Sequence, residues 1–245
     1  VKATGFDYHP DEKMYEVTLS VIEPNKGQGG TTQTKEWKAS AKSTTVFNAI
    51  EALRTRSSDH LTWKHCEIFV FGSDMPKDAF RAIGNWLFAM TEIRASAYVI
   101  FTPTSAKTFL VSQPELEDVL GEELYGIIAE QPRTGMAAQA TLHDLFISGA
   151  SPSYTCVAAR GEIVNDVQDK PTPLLYGSAM VQDFQFLGWL QPEETIGYYL
   201  AHGLPNNAVF SVDYKGEKVV FETTQNRSRI RPYFKNGQLR IKLEV

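Results

Sequence analysis

The sequence has little cysteine and no long apolar run, and both absences limit the classes of protein to which it can belong. Its 245 residues include two cysteines, Cys66 and Cys156, which lie far apart in apolar, strand-like segments. This usage excludes a disulfide-rich scaffold and a zinc site of the Cys-x-x-Cys type, so we interpret both thiols as small buried hydrophobes. No uninterrupted apolar run approaches the roughly 18 residues of a membrane-spanning helix. With 42% hydrophobic and 22% charged residues, the composition indicates a globular protein with a sizeable core.

An excess of positive charge and a targeting segment are also missing. The formal net charge is -5 and the pI is near 5.6, which argues against nucleic-acid binding by the chain as a whole. No basic-then-apolar signal segment opens the sequence. The chain begins at Val1 and ends on LRIKLEV, a strand-like alternation without a polar stop. We therefore expect the native protein to be longer.

Familiar catalytic and metal-binding motifs are not found. There is no Gly-x-Ser-x-Gly elbow, and the five histidines lack His-Glu-x-x-His spacing. His60 and His65 are the nearest pair, with Cys66 adjacent. Alternation along a strand would point His65 and Cys66 to opposite faces, so no metal site is predicted. Gly27-Gln28-Gly29-Gly30 is followed by a strand pattern rather than by a helix N-terminus, which favours a hairpin loop over a phosphate loop.

Hydrophobic periodicity predicts a mixed α/β fold in the first two thirds of the chain. Three strands are expected within residues 3–41, followed by a helix capped near Ser43 or Thr44. Further strands are predicted at 66–71, 95–101 and 155–164, and helices from Pro76 and at 105–110, 114–130 and 137–147.

The last third of the chain predicts a smaller α+β unit. Residues 165–173, NDVQDKPTP, are polar and contain prolines, so we predict a linker and place domains at 1–170 and 171–245. A hairpin at 178–190, a helix from Pro192 that Gly203 ends, and strands at 209–214 and 218–223 are expected in the second domain. Asn236-Gly237 predicts the turn of a final hairpin. The predicted fold class is therefore α+β or mixed α/β.

Two adjacent glutamates, Glu193 and Glu194, invite comparison with a catalytic carboxylate pair. Pro192 suits the first position of a helix and places both acids in the first turn, where the dipole favours carboxylates by roughly 0.3–1 kcal/mol each. A general acid, by contrast, needs a pocket that raises its pKa. We interpret the pair as the start of a helix.

The C-terminal segment NRSRIRPYFKNGQLRIK is rich in basic residues. A period of two puts Arg227, Arg229 and Arg231 on one strand face, and Arg240 with Lys242 on one face of the next strand. A solvated hairpin face is one interpretation. A contact with a partner or with an anionic membrane is another, at up to about 1 kcal/mol per basic residue near the headgroups. Nucleic acid is disfavoured because the chain is acidic overall.

Short elements along nearly the whole chain match a known family in their order and spacing. They are Gly5-Phe6-Asp7, Tyr15 through Pro24, the helix–strand segment Ser43–Phe71, Glu92-Ile93-Arg94, Ala106 to Leu110, Gly177-Ser178-Ala179-Met180, Leu187-Gly188-Trp189-Leu190 and Glu194-Thr195-x-Gly197. With these elements the chain resembles the Ger(x)C family, the lipoprotein C subunits of germinant receptors in endospore-forming bacteria. The order of the elements carries the likeness, rather than any single motif.

The resemblance implies a non-enzymatic lipoprotein anchored to the outer face of the spore inner membrane. There it would assemble with two integral-membrane subunits, the A and B proteins, into a receptor for nutrient germinants. In the family the small-molecule site is usually assigned to the B subunit, so the C subunit would serve in assembly or signal transmission. No cofactor and no nucleic-acid partner is implied.

Three features depart from the family pattern. No lipidated cysteine precedes Val1, Ala89 stands where members often carry arginine, and the family's further C-terminal domain is absent. We therefore expect the sequence to correspond to the first two domains of the family. For Glu92 and Arg94 we expect an internal ion pair.

Two other functional hypotheses remain open. One is an extracytoplasmic module that binds a small-molecule nutrient in a cleft between the two domains. The other is a hydrolase that uses Glu193 or Glu194, or the Asp59-His60 pair, with its groups lining one concave site.

Overall fold

A mixed sheet of eight strands is the centre of the protein, as seen in a computed structural model that describes residues 1–23, 35–202 and 208–245. Its strand order is β3-β2-β1-β4-β5-β6-β7-β8. The inner strands β1, β4, β5 and β6 are parallel, and antiparallel pairs extend the sheet at both edges. The strands are β1 (Ala3–His9), β2 (Met14–Glu23), β3 (Lys35–Ser43), β4 (Ile68–Gly72), β5 (Tyr98–Thr102), β6 (Cys156–Asn165), β7 (Pro171–Gln182) and β8 (Gln185–Leu190).

Helices cover both faces of the sheet. The helices α1 (Val46–Arg54), α2 (Lys77–Ala89) and α5 (Leu142–Ala150) share one apolar core with the sheet. On the other face lie α3 (Ala106–Val111), α4 (Leu120–Thr134) and α6 (Pro192–Ala201). Every residue of the central strand β4 is buried, as a parallel strand covered on both faces requires. The predicted mixed sheet with packed helices is confirmed.

Local sequence signals account for most helix starts. The Thr45 hydroxyl accepts the N–H of Asn48 at 3.1 Å and begins α1, one residue beyond the predicted cap at Ser43 or Thr44. Helix α2 follows Pro76, as predicted. Helix α6 begins at Pro192, also as predicted.

Two predicted helices have wrong bounds. Helical spacing predicts a helix at 137–147, but the chain from Ala137 to Ala140 is not helical, and the N–H of Val99 in β5 donates to the Ala140 carbonyl at 3.0 Å. Thr141 and Asp144 form a capping box, so α5 begins at Leu142. The helix predicted at 114–130 begins only at Leu120 and continues through Pro132.

The linker predicted at 165–173 is instead the turn of a hairpin. Asn165 of β6 pairs with Pro171 of β7, and the Asp166 carboxylate accepts the N–H groups of Gln168 and Lys170. Polar residues and prolines suit such a turn as well as they suit a linker. The central sheet therefore continues past residue 170, and the division into domains 1–170 and 171–245 stays a prediction.

Two hairpins follow the sheet. The first pairs β9 (Val209–Tyr214) with β10 (Glu217–Glu222), and the second pairs β11 (Arg229–Lys235) with β12 (Gln238–Glu244). Asn236 and Gly237 both have positive φ, at 54° and 75°, as a type I′ turn requires. The predicted final turn is confirmed. The Gly27–Gly30 loop and the Gly203 cap lie outside the described residues.

Candidate interaction surface

The β11–β12 hairpin separates basic from apolar side chains. Residues directly opposite each other in an antiparallel pair share a face, and Arg231 lies opposite Lys242 while Tyr233 lies opposite Arg240. The predicted basic residues of the two strands are thereby brought together. The basic face carries Arg229, Arg231, Lys235, Arg240 and Lys242. The opposite face carries Ile230, Pro232, Phe234, Leu239, Ile241 and Leu243.

Both faces of this hairpin are exposed among the residues that the structure describes. Phe234 is 76% exposed and Ile241 is 66% exposed. A hairpin alone is marginally stable in water, and clustered exposed apolar residues mark interaction surfaces. On the basic face, Lys242 pairs with Glu244 at 2.6 Å. Arg227, predicted on the same strand face, precedes β11 and is not part of it.

The β9–β10 hairpin also has two unlike sides. On one side Phe210 stacks on Phe221 with ring centroids 5.7 Å apart, and Val212 lies opposite Val219. Residues of this hairpin also line a cavity of about 340 Å³, together with α6 and Tyr176 of β7. All of its lining residues except Met136 belong to residues 171–245, so the cleft predicted between the two domains stays a prediction. Its lining includes Met136, Tyr176, Glu193, Ile196, Val209 and Ser211.

The two candidate hydrolase groups lie in different places. The Glu194 carboxylate accepts the N–H of Gln191 at 2.7 Å, so it caps α6 as predicted. Glu193 lines the cavity beside β9. Asp59 and His60 line a separate cavity of about 590 Å³ beside β2 and β3. Asp59 and His60 thus share one cavity while the glutamates lie elsewhere, and the hydrolase interpretation stays a hypothesis.

The cysteines and histidines do not form a metal site. No group of three or more potential metal ligands occurs within residues 1–23, 35–202 and 208–245. His65 and Cys66 precede β4, with His65 exposed and Cys66 buried. Burial raises the pKa of the Cys66 and Cys156 thiols to about 12, which keeps both protonated and unreactive.

The expected ion pair between Glu92 and Arg94 is not formed. The Glu92 carboxylate instead accepts the Thr62 hydroxyl at 2.8 Å and the Trp63 N–H at 3.2 Å. These hydrogen bonds lower the pKa of Glu92. Arg94 is exposed. The partners of Glu92 come from the segment before β4, about 30 positions earlier in the chain, which sequence spacing alone did not reveal.

The Gly5-Phe6-Asp7 element of β1 packs against helix α3. The Asp7 carboxylate accepts the N–H groups of Ala106 and Lys107 at 2.7 and 2.9 Å, at the start of α3. A Cβ on Gly5 would lie 2.7 Å from Leu110 of the same helix. Burial raises the pKa of Asp7 despite the two hydrogen bonds. The element therefore fixes α3 on β1.

A buried carboxylate next to this element escaped the sequence analysis. Glu16 is 4% exposed and accepts hydrogen bonds from Lys107 and Ser40, both at 2.7 Å, and contacts His9 at 2.8 Å. Burial alone would raise its pKa, but these partners lower the pKa of Glu16 to about 2. The Glu16 carboxylate on β2 therefore connects β1, β3 and α3 through these three contacts.

The family elements in β7 and β8 also make structural contacts. The Gly177 N–H donates to the Met136 carbonyl at 2.8 Å, and the Ser178 hydroxyl accepts the N–H of Ala138 at 2.9 Å. Gly177 has a φ of 83°, and a Cβ there would lie 2.6 Å from the Leu190 carbonyl oxygen. The Arg160 guanidinium lies over the Trp189 ring at 5.0 Å. These contacts join β7, β8 and the extended segment before α5.

Two family models match the chain. The model described as spore germination protein N-terminal domain matches residues 1–162, and the one described as spore germination B3/GerAC like, C-terminal, matches residues 176–245. The chain belongs to the spore germination protein family. The resemblance to Ger(x)C proteins, the C subunits of germinant receptors, is thereby confirmed. The interval between the two matches contains the predicted boundary at residue 170.

A solved structure shares the fold of this family member. The crystal structure of the GerBC protein superposes with a TM-score of 0.54 at 14% sequence identity, over 98% of this chain and 68% of that one. The predicted α+β fold class agrees with it. A search of curated proteins finds no match. Within the described residues, the helices are too short or too polar to cross a membrane.

Proposed function

We propose that this chain is the non-catalytic lipoprotein C subunit of a spore germinant receptor and acts in receptor assembly and nutrient-signal transmission. In the full-length protein a lipid anchor holds it on the outer face of the spore inner membrane. Its partners there are the integral-membrane A and B subunits. Family membership supports this role, and the elements shared with the family serve packing rather than chemistry.

The observation that carries the proposal is the amphipathic β11–β12 hairpin. Its apolar face is exposed over both strands, and its basic face gathers Arg229, Arg231, Arg240 and Lys242. Exposed apolar side chains in this density are costly in water unless another surface covers them. A subunit that docks on neighbours and on an anionic headgroup layer uses both faces at once.

Recovery of partner subunits from membranes tests this proposal. The anchored full-length protein, solubilised in mild detergent and captured through a tag, is expected to bring down the A and B subunits. Phe234→Ser with Ile241→Ser should weaken that recovery, whereas Leu116→Ser, at a residue 90% exposed before α4, should not. Failure of the unmodified protein to recover either partner would count against the proposed function.

Direct sensing of a nutrient is a second candidate, favoured by the cavity of about 340 Å³ beside β9. A ligand that binds the folded state at 100 times its Kd stabilises it by about 2.7 kcal/mol. Thermal unfolding in the presence of amino acids and sugars therefore tests it. An unchanged melting temperature across that panel would exclude this candidate, and a rise abolished by Ile196→Trp would support it.

A further inference from the structure

An apolar cavity of about 590 Å³ lies between the end of the β2–β3 pair and the loop that joins α1 to β4. Its apolar lining is Val21, Ile22, Trp37 and Leu61. The volume and the predominance of apolar lining are those of small-molecule sites, which range over about 300–1,000 Å³.

The polar rim of the cavity carries several side chains that can donate N–H groups. Arg56, His60 and His65 line it, with Asp59 as the acidic residue among them. His65 also lines an adjoining depression together with Lys64 and Arg94. The Glu92 carboxylate in that depression is already bound to Thr62 and Trp63. Where the two cavities meet, the basic side chains Arg56, Lys64 and Arg94 outnumber the carboxylates Asp59 and Glu92.

The N–H donors of the rim differ in whether they already have a hydrogen-bond partner. Arg56 donates to the Ser40 carbonyl at 2.8 Å. In contrast, the side chains of His60, His65 and Arg94 form no hydrogen bond or ion pair with any residue that the structure describes, and all three are exposed. Arginine and histidine side chains recognise carboxylate and phosphate groups through N–H donors. Because these donors lie beside an apolar cavity, they suit a ligand that has an anionic group at one end and an apolar body at the other.

We propose that this cavity binds a small amphipathic anion. The apolar body of the ligand occupies the space between Val21, Trp37 and Leu61. Its carboxylate or phosphate head lies at the rim, against His60, His65 and Arg94. This inference goes beyond the proposed assembly role, which requires no ligand, and it concerns a cavity separate from the one beside β9.

Titration calorimetry with three eight-carbon probes tests the inference. Octanoate is expected to bind, and octylammonium, of the same chain length but opposite charge, at least tenfold more weakly. The triple variant His60→Gln, His65→Gln, Arg94→Gln should raise the Kd for octanoate at least tenfold but leave the Kd for neutral octanol within twofold. Arg133→Gln, an exposed residue of α4, is the control and should change neither.

A cavity-filling variant separates this site from the exposed hairpins. Val21→Trp is expected to abolish octanoate binding, although it leaves the apolar faces of the hairpins unchanged. If Val21→Trp fails to fold, the triple variant tests the site instead, because it changes only exposed side chains. Equal binding of octylammonium, or an unchanged octanoate Kd in the triple variant, would overturn the inference. Competition of phosphatidylglycerol vesicles with octanoate would assign an anionic lipid as the ligand, and binding of octyl phosphate without such competition a free anion.

Discussion

Glu16 shows how one buried carboxylate holds several elements in place. It lies on β2, receives hydrogen bonds from β3 and α3, and contacts His9 of β1. Its pKa is lowered from 4.5 to about 2, which corresponds to about 3 kcal/mol of stability when the group is ionised. Because the pKa is lower in the folded protein, this contribution is complete above about pH 4.5 and is lost as the pH falls towards 2.

Glu16→Gln is therefore expected to lower the free energy of unfolding by about 2–3 kcal/mol at pH 7. The difference from the unmodified protein should shrink between pH 4.5 and pH 2.5. Urea denaturation at several pH values measures it. Asp7, whose pKa is raised chiefly by burial, acts with the opposite sign. Because the Glu16 charge also raises the pKa of Asp7, Glu16→Gln removes part of that cost as well.

Glu12→Gln provides the matched control. Glu12 is exposed and pairs with Lys42 at 3.2 Å, so its replacement should change the stability by less than about 1 kcal/mol. Equal effects of Glu12→Gln and Glu16→Gln at pH 7, or a Glu16→Gln effect that does not change with pH, would contradict this account.

Single residues were predictable where their signals are local. Glu193 and Glu194 are assigned correctly because Pro192, two acids and an apolar run mark a helix start within a few positions. Glu16 was missed because Lys107, its main partner, is 91 positions away and α3 had first to be placed on β1. Arg94 was misassigned because spacing does not fix side-chain direction in a turn.

Among the elements, α4 carries two glycines in opposite environments. A Cβ on Gly121 would lie 2.8 Å from Lys2 Cβ and 3.2 Å from the Lys2 carbonyl carbon, whereas nothing lies within 4 Å of a Cβ on Gly126. Helix α4 therefore lies directly on the start of β1 through Gly121 and faces open space at Gly126.

The two glycine-to-alanine variants should have opposite effects. Gly126→Ala removes backbone freedom from the unfolded chain and should raise the free energy of unfolding by about 0.5–1 kcal/mol. Gly121→Ala forces α4 away from β1 and should lower it by about 1–3 kcal/mol. Denaturant midpoints measure both changes, and effects of the same sign would show that α4 does not pack as described.

The β11–β12 hairpin allows a prediction about its basic face. Reversing Arg229, Arg231, Arg240 and Lys242 to glutamate should weaken association with anionic liposomes at low salt by at least about 100-fold, since each basic residue contributes about 1 kcal/mol near the headgroups. Co-sedimentation measures the binding. Arg133→Glu on α4 is the control for a change of charge elsewhere.

Salt distinguishes an electrostatic contact from other kinds of binding. Association of the unmodified protein should fall as the ionic strength rises from 0.01 to 0.15 M, because the screening length drops from about 30 to 8 Å. Binding that is unaffected by salt and by the charge reversal would mean that the basic face is only solvated.

Elements were predicted well where strand and helix patterns are undisturbed. The buried run of β4 and the turn of the last hairpin follow directly from apolar continuity and from Asn236-Gly237. The first residues of the helix predicted at 137–147 were misassigned because their spacing continues that of α5. They are extended instead because the N–H of Val99 pairs with Ala140, a contact made in space rather than along the chain.

The molecule as a whole combines a well-packed sheet with two exposed hairpins. Helices on both faces bury the eight strands, while β9 to β12 stand outside that sheet with most of their side chains in contact with water. The fold class was predictable from the alternation of strands and helices. The continuity of the sheet past residue 170 was not, because the pairing of β6 with β7 depends on long-range register. The resulting division between core and hairpins suits a subunit that docks on neighbours.

Site-specific photo-cross-linking in the assembled receptor tests the central claim most directly. The cross-linker is placed at Phe234 on the β11–β12 hairpin and, for comparison, at Leu116, which is also apolar and is more exposed. Our account predicts products between position 234 and the A or B subunit or membrane lipid, and few from position 116. Strong cross-links at 116 with none at 234 would contradict it.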